Sequence, residues 1–198
     1  MMKLHAFLAG CVLAVASALP ASAIGVQYFA NLNGASEAPP NASPGLGTAV
    51  ITVDVGLRTM RVEASFAGLL AGTTAAHIHC CTAVANTGTA SVATQTPYFD
   101  GFPIGVTSGT YDRLFDMSLA ASWNATFITA NGGTPLTAFA ALVAGLDAGK
   151  SYFNIHSSQF GGGEIRGFLA PVPEPETYAL LALGLGVLAL AGRRRRAG

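Results

Sequence analysis

Charge is scarce in this chain. Only 10% of its 198 residues are charged, and 10 Lys+Arg balance 10 Asp+Glu. A nucleic-acid binder needs a basic face to neutralise phosphates, so no nucleic-acid partner is expected. Ordinary disorder needs high polarity and net charge, which a hydrophobic fraction of 51% excludes. The familiar catalytic signatures are also missing: there is no G-x-S-x-G elbow, no P-loop, no H-E-x-x-H and no C-x-x-C-H haem site. No internal repeat stands out, which argues against a solenoid. Gly161-Gly162-Gly163 precedes a strand pattern instead of opening a helix, so it reads as a tight turn with positive φ and not as a phosphate cradle.

The hydrophobic residues pile up at the two ends. Lys3 is followed by an apolar run, Ala6 to Leu19, then Pro20 and Ala21-Ser22-Ala23. A basic start, a short apolar segment and an A-x-A site make a secretory signal peptide over residues 1–23, cut by signal peptidase after Ala23. Cys11 would leave with it. At the other end, Pro173-Glu174-Pro175 precedes the uncharged segment Thr177 to Gly192 and the block Arg193-Arg194-Arg195-Arg196. As a helix those sixteen residues would span about 24 Å. Snorkelling arginines and local thinning can extend that to the roughly 30 Å hydrocarbon core. The arginine block belongs on the cytoplasmic side, which puts everything before it outside. A plain transmembrane anchor would look similar.

The order of Pro-Glu-Pro, one apolar helix and a terminal arginine cluster over residues 171–198 resembles the PEP-CTERM sorting signal of Gram-negative bacteria. That resemblance implies processing by an exosortase, a transient stay in the inner membrane and delivery to the cell surface or to an extracellular polysaccharide matrix such as biofilm. Without both ends, residues 24–172 hold five basic and eight acidic residues, a net charge of −3. Some 149 residues can bury a core without help from metal or disulfides.

The middle, residues 24–170, reads as one domain. In Ala49 to Val55 and in Arg58 to Phe66, apolar and polar residues alternate strictly, as in strands with one buried and one wet face. Gly56-Leu57 would join them as a hairpin. Further strands are expected at Val26 to Leu32, Ala75 to Cys80, Tyr111 to Leu119, Ser151 to His156 and Glu164 to Leu169. Short strands punctuated by glycine predict a mainly β fold, an antiparallel sandwich or barrel. One short helix is expected over Pro135 to Gly145, with Thr134 as N-cap, Pro135 at the first position and Gly145 closing it.

The chemistry sits in three histidines and two cysteines. On a strand, His77 and His79 point to one face, about 7 Å apart along the chain. Two imidazoles so placed can share a transition metal, and His156 would join them if its strand lies in the same sheet. The bland alternative is that the rings brace the fold. Cys81 would follow on the histidine face if the strand continues. Cys80 and Cys81 can close a vicinal disulfide, stay free, pair between molecules or ligate a soft metal. Glu164 and Arg166 share a face and are expected to form a surface ion pair worth only about 0–1 kcal/mol. Tyr98, Phe99, Phe102 and Trp123 would stack on sugars if exposed, although core packing is the commoner use of such rings.

Phe29-Ala30-Asn31-Leu32-Asn33-Gly34-Ala35-Ser36-Glu37-Ala38-Pro39-Pro40, Ala75-Ala76-His77-Ile78-His79, Tyr152-Phe153-Asn154-Ile155-His156 and Gly162-Gly163-Glu164-Ile165-Arg166-Gly167 together resemble a CHRD domain. The resemblance covers roughly residues 26 to 169 and implies an extracellular β domain with no established catalytic activity; no cofactor is expected. Its motif residues are Glu37, Pro39, Pro40, Asn154, Gly163, Glu164, Arg166 and Gly167. Cys80-Cys81 departs from it, because glycine usually follows His-Ile-His there. The expectation is an exported, non-enzymatic protein that binds an extracellular polysaccharide or a surface protein. The alternative is a metal-binding domain, copper or zinc at His77, His79 and His156, with redox capacity.

Overall fold

The computed structural model describes residues 25–173 and 183–186. The expected signal peptide with Ala21 and Ala23, the Glu174-Pro175 pair and Arg193 to Arg196 lie outside the described residues. Among the described residues, no helix is long and apolar enough to cross a membrane. The expected membrane helix lies largely outside them.

Alternating sequence produces strands where it was expected. β1 (Val26–Asn33), β2 (Leu46–Asp54) and β3 (Thr59–Ala67) form an antiparallel meander. Ile51 and Val53 of β2, with Met60 and Val62 of β3, are at most 1% exposed on the shared inner face. The β2–β3 turn spans residues 55–58. Its left-handed residue is Arg58, at φ 55°, and not Gly56. Leu57 N donates to Asp54 Oδ1 at 2.8 Å and tightens the turn. β4 (Thr73–His79), β5 (Gly109–Asp116), β6 (Tyr152–Ser157), β7 (Ile165–Phe168) and the two-residue β8 (Ala170–Pro171) complete the set. β5 stops before the expected Leu119 because Asp116 Oδ1 accepts from Ser118 N and turns the chain.

The strands form one sheet in the order β4-β6-β7-β1-β2-β3-β5, with β8 added to β1. Of the expected sandwich or barrel, the mainly β antiparallel character holds, and the architecture is a single antiparallel sheet curled into a half-barrel. Helices and an irregular segment occupy the place of a second sheet. α1 (Ala125–Ala130), capped by Asn124, was not anticipated. α2 (Pro135–Asp147) was, and Thr134 closes a reciprocal capping box with Thr137. Gly145 does not end α2. It is buried inside the helix because a β-carbon there would strike Cys80 Sγ and Cys81 Sγ. Trp123, Phe127, Phe139 and Leu142 from the helical region join Phe99 and Phe102 in the core of the sheet. Phe102 stacks on Phe66 at 5.7 Å and Phe99 on Phe153 at 5.8 Å. Of the four rings considered for sugar stacking, only Tyr98 is exposed.

Candidate metal centre

Strand parity builds the site. β4 pairs with β6 so that His77 lies opposite Asn154, His79 opposite Tyr152 and Ala75 opposite His156. Ile78, Phe153 and Ile155 then face the core at 0% exposure, which forces His77, His79, Asn154 and His156 onto the outer face. β7 continues the row, with Arg166 opposite Asn154 and Phe168 opposite Tyr152. Loops roof this face: Ala90 reaches His79, Gly88 reaches Arg166, Gly161 reaches His156 and Glu37 lies over Asn154.

The three histidines meet. The ring of His77 lies 5.1 Å from that of His79 and 4.8 Å from that of His156, and one ligand nitrogen from each falls within 4.8 Å of the others. Their tautomers follow from their partners. His79 Nδ1 donates to Ala90 O at 2.8 Å and His156 Nδ1 to Gly161 O at 2.9 Å, since a carbonyl can only accept. Each ring therefore keeps its lone pair on Nε2. Those two Nε2 atoms and His77 Nδ1 are buried without a partner. A carbonyl holding one nitrogen while the other is free is the arrangement that orients imidazole towards a metal.

Burial holds all three rings neutral. It pushes His77 down to about 3, helped by His156 and His79, and His79 down to about 4 against the pull of the Ala90 carbonyl. His156 is lowered too, again by burial. All three folded values lie below the usual 6.5, so the unfolded chain takes up these protons first. The metal-free domain is therefore expected to lose stability as pH falls from 6.5 towards 4, at up to about 1.4 kcal/mol per pH unit and group. Glu37 opposes this as one group against three: burial raises it from 4.5 to about 7, despite Arg166 and Asn154, so its contribution fades as pH rises through about 7. Urea melts at pH 7.5 and 5 check the balance, and a profile that is flat or rises on acidification would contradict it.

The CHRD-like motif residues assemble beside the cluster. Asn154 Nδ2 donates to Glu37 Oε1 at 2.6 Å, and Arg166 Nε lies 3.8 Å from Glu37 Oε2 and also donates to Ser36 O. Gly163, at φ 129°, leaves room for this, because a β-carbon would stand 2.6 Å from both Asn154 Nδ2 and Glu37 Oε1. Gly161 and Gly162 do not share the positive φ expected of that turn. Pro39 and Pro40 line a groove with Glu37 and Gly162, while Gly167 crosses close to Asn31 of β1. The expected surface pair of Glu164 with Arg166 is corrected: Glu164 is 0% exposed and its Oε1 accepts from Ser43 Oγ and Leu70 N, both at 2.6 Å. Arg166, 5% exposed, turns to Glu37.

The cysteines stand apart. Cys80 and Cys81 are joined by a disulfide. β4 ends at His79, so Cys81 does not continue the histidine face, and both sulfurs lean on α2 at Gly145. Sequence reasoning missed Tyr152, whose ring stacks on His79 at 4.6 Å and carries the Arg166 guanidinium at 4.8 Å. Its position two residues before Asn154 was the available signal.

Fold and site together define a single-sheet β domain with a roofed, imidazole-rich polar face opposite its core. A family model described as CHRD domain matches residues 28–169, and the chain belongs to that family. A second model, the PEP-CTERM protein-sorting motif, matches residues 171–196 and implies processing by exosortase-type sorting machinery. No curated protein and no solved structure matches the chain.

Proposed function

We propose that this protein is exported and delivered to the cell surface or its polysaccharide matrix, where its CHRD domain acts as a binding module that holds one transition-metal ion, copper or zinc, through His77, His79 and His156. The observation that carries this reading is the convergence of three histidines, each offering a ligand nitrogen within 4.8 Å of the others and each carrying a buried ring nitrogen without a partner. Each unsatisfied buried group costs about 1–3 kcal/mol. A trapped water has only two protons to donate, which leaves one nitrogen bare; a cation satisfies all three. Neutral imidazoles suit copper and zinc. The path to the surface rests on the sorting motif and on the A-x-A site at Ala21 and Ala23, with residues 1–23 removed by signal peptidase.

Elemental analysis of the mature protein, purified from periplasm without chelators or a histidine tag, tests the reading. About one transition-metal ion per chain is expected, falling to a trace in a His77→Ala, His156→Ala double variant that still folds. A metal-free, cooperatively folding wild-type protein would return the histidines to a bracing role.

A further inference from the structure

We propose that the metal in this site keeps a position that the protein does not fill, and that this position takes an external carboxylate-type anion. The inference rests on the three-histidine reading and follows from the donor set around it.

All three histidine ligands are neutral, so a bound dication keeps its full charge on a largely buried face. The described acidic groups nearby are committed elsewhere. Glu37 is held by Asn154 and Arg166, and Glu164 Oε1 by Ser43 and the Leu70 amide; Glu164 Oε2 is buried without a partner, but Glu164 does not belong to the group of ligand atoms that the three histidines form. Both cysteine sulfurs are spent on each other and lie against α2. Asn154 Oδ1 is a further buried acceptor without a partner on the same face, but it is neutral as well. The nearest cation adds to the imbalance. Arg166 lies over Tyr152, which stacks on His79. An uncompensated charge in such surroundings is costly, so an anion is needed to complete the centre. Copper and zinc both take at least a fourth ligand, and three protein donors with one vacancy is the arrangement that leaves a metal open to exchange.

The site also offers an approach. His79 and His156 are only part-buried, unlike His77 at 6% exposure. Beside His156, positions 161 and 162 border open space, where a β-carbon would meet nothing within 4 Å. A groove lined by Pro39, Pro40, Phe160 and Gly162 adjoins that loop. A carboxylate of a small acid or of an acidic sugar polymer satisfies the same charge and coordination demand.

The test uses mature protein loaded with Cu(II), its copper content first confirmed as about one per chain. Azide is then titrated as the probe anion. A saturable azide-to-copper charge-transfer band with one azide per copper is expected, displaced by acetate and by polygalacturonate but not by dextran. Displacement by polymer at a carboxylate concentration about tenfold or more below that of acetate identifies a polymer as the source, through multivalency. Equal potency per carboxylate identifies small acids. Retained copper with no azide band, or a band that neither carboxylate displaces, overturns the inference while the metal reading stands. Failure to retain copper or any other transition metal overturns both.

Discussion

Replacing Arg166 by methionine is expected to destabilise the domain by about 3–5 kcal/mol, because it leaves the carbonyls of Ser36 and Gly88 without their donor, uncovers two aromatic rings and removes the partner of a buried carboxyl. Only 6% of the Arg166 side chain and 5% of the Glu37 side chain are exposed. The guanidinium does several things at once: it neutralises Glu37, donates to the carbonyls of Ser36 and Gly88, and covers the rings of Tyr152 and Phe168. Methionine restores some of the packing and none of the rest. Glu37 would keep the Asn154 amide and the Ala38 backbone N–H, and its carboxyl, already raised to about 7, would be driven higher. For a domain of this size the loss corresponds to a Tm lower by about 6 to 20 °C. The double variant Glu37→Gln, Arg166→Met is expected to be more stable than Arg166→Met alone at pH 7, since glutamine spares folding the cost of protonating the Glu37 carboxyl. A single variant costing less than about 1 kcal/mol would mean that the pair behaves as a solvated surface contact.

That outcome bears on what the sequence could disclose. Alternation placed Arg166 on a definite face of β7, and the structure keeps that parity. What alternation could not convey is that the 34–41 loop folds over that face and brings Glu37 to it from more than 120 residues away in the chain. Burial of a strand's second face is a property of the loops that cover it. The same limit explains Phe99, Phe102 and Trp123, which sit in a segment without regular period yet fill the core. It also explains the architecture: strand count alone does not distinguish a second sheet from helices and irregular chain packed on the first. α2 was legible because Thr134 and Pro135 mark its start. α1, six residues long, is too short to show a helical period.

The histidine cluster was more legible, for a physical reason. His77 and His79 share a face by the two-residue period of any strand, and only the β4–β6 pairing that delivers His156 had to come from the fold. The tautomers did not follow from sequence, because the Ala90 and Gly161 carbonyls that fix them belong to roofing loops.

Metal and bracing roles predict opposite signs for one substitution. If the histidines brace the fold, replacing His77 by phenylalanine removes a useful contact and the metal-free domain weakens. If they are ligands, the metal-free protein already bears the cost of an unpartnered Nδ1 in a residue that is 6% exposed. Phenylalanine removes that nitrogen and keeps a ring of similar shape, at the cost of the smaller contact of His77 with the Pro97 backbone. The expected result is a metal-free His77→Phe protein at least as stable as metal-free wild type. Metal should separate the two again. With free metal at about 1,000 times Kd, wild type gains about 4.1 kcal/mol, or about 8 to 16 °C in Tm. The variant is expected to gain little, and chelator should return wild type to its starting value. Both curves come from one set of thermal melts with and without added zinc. A variant that unfolds when metal-free while wild type ignores zinc would make His77 a brace. A metal-free variant as stable as wild type, paired with a zinc response confined to wild type, fits only a ligand.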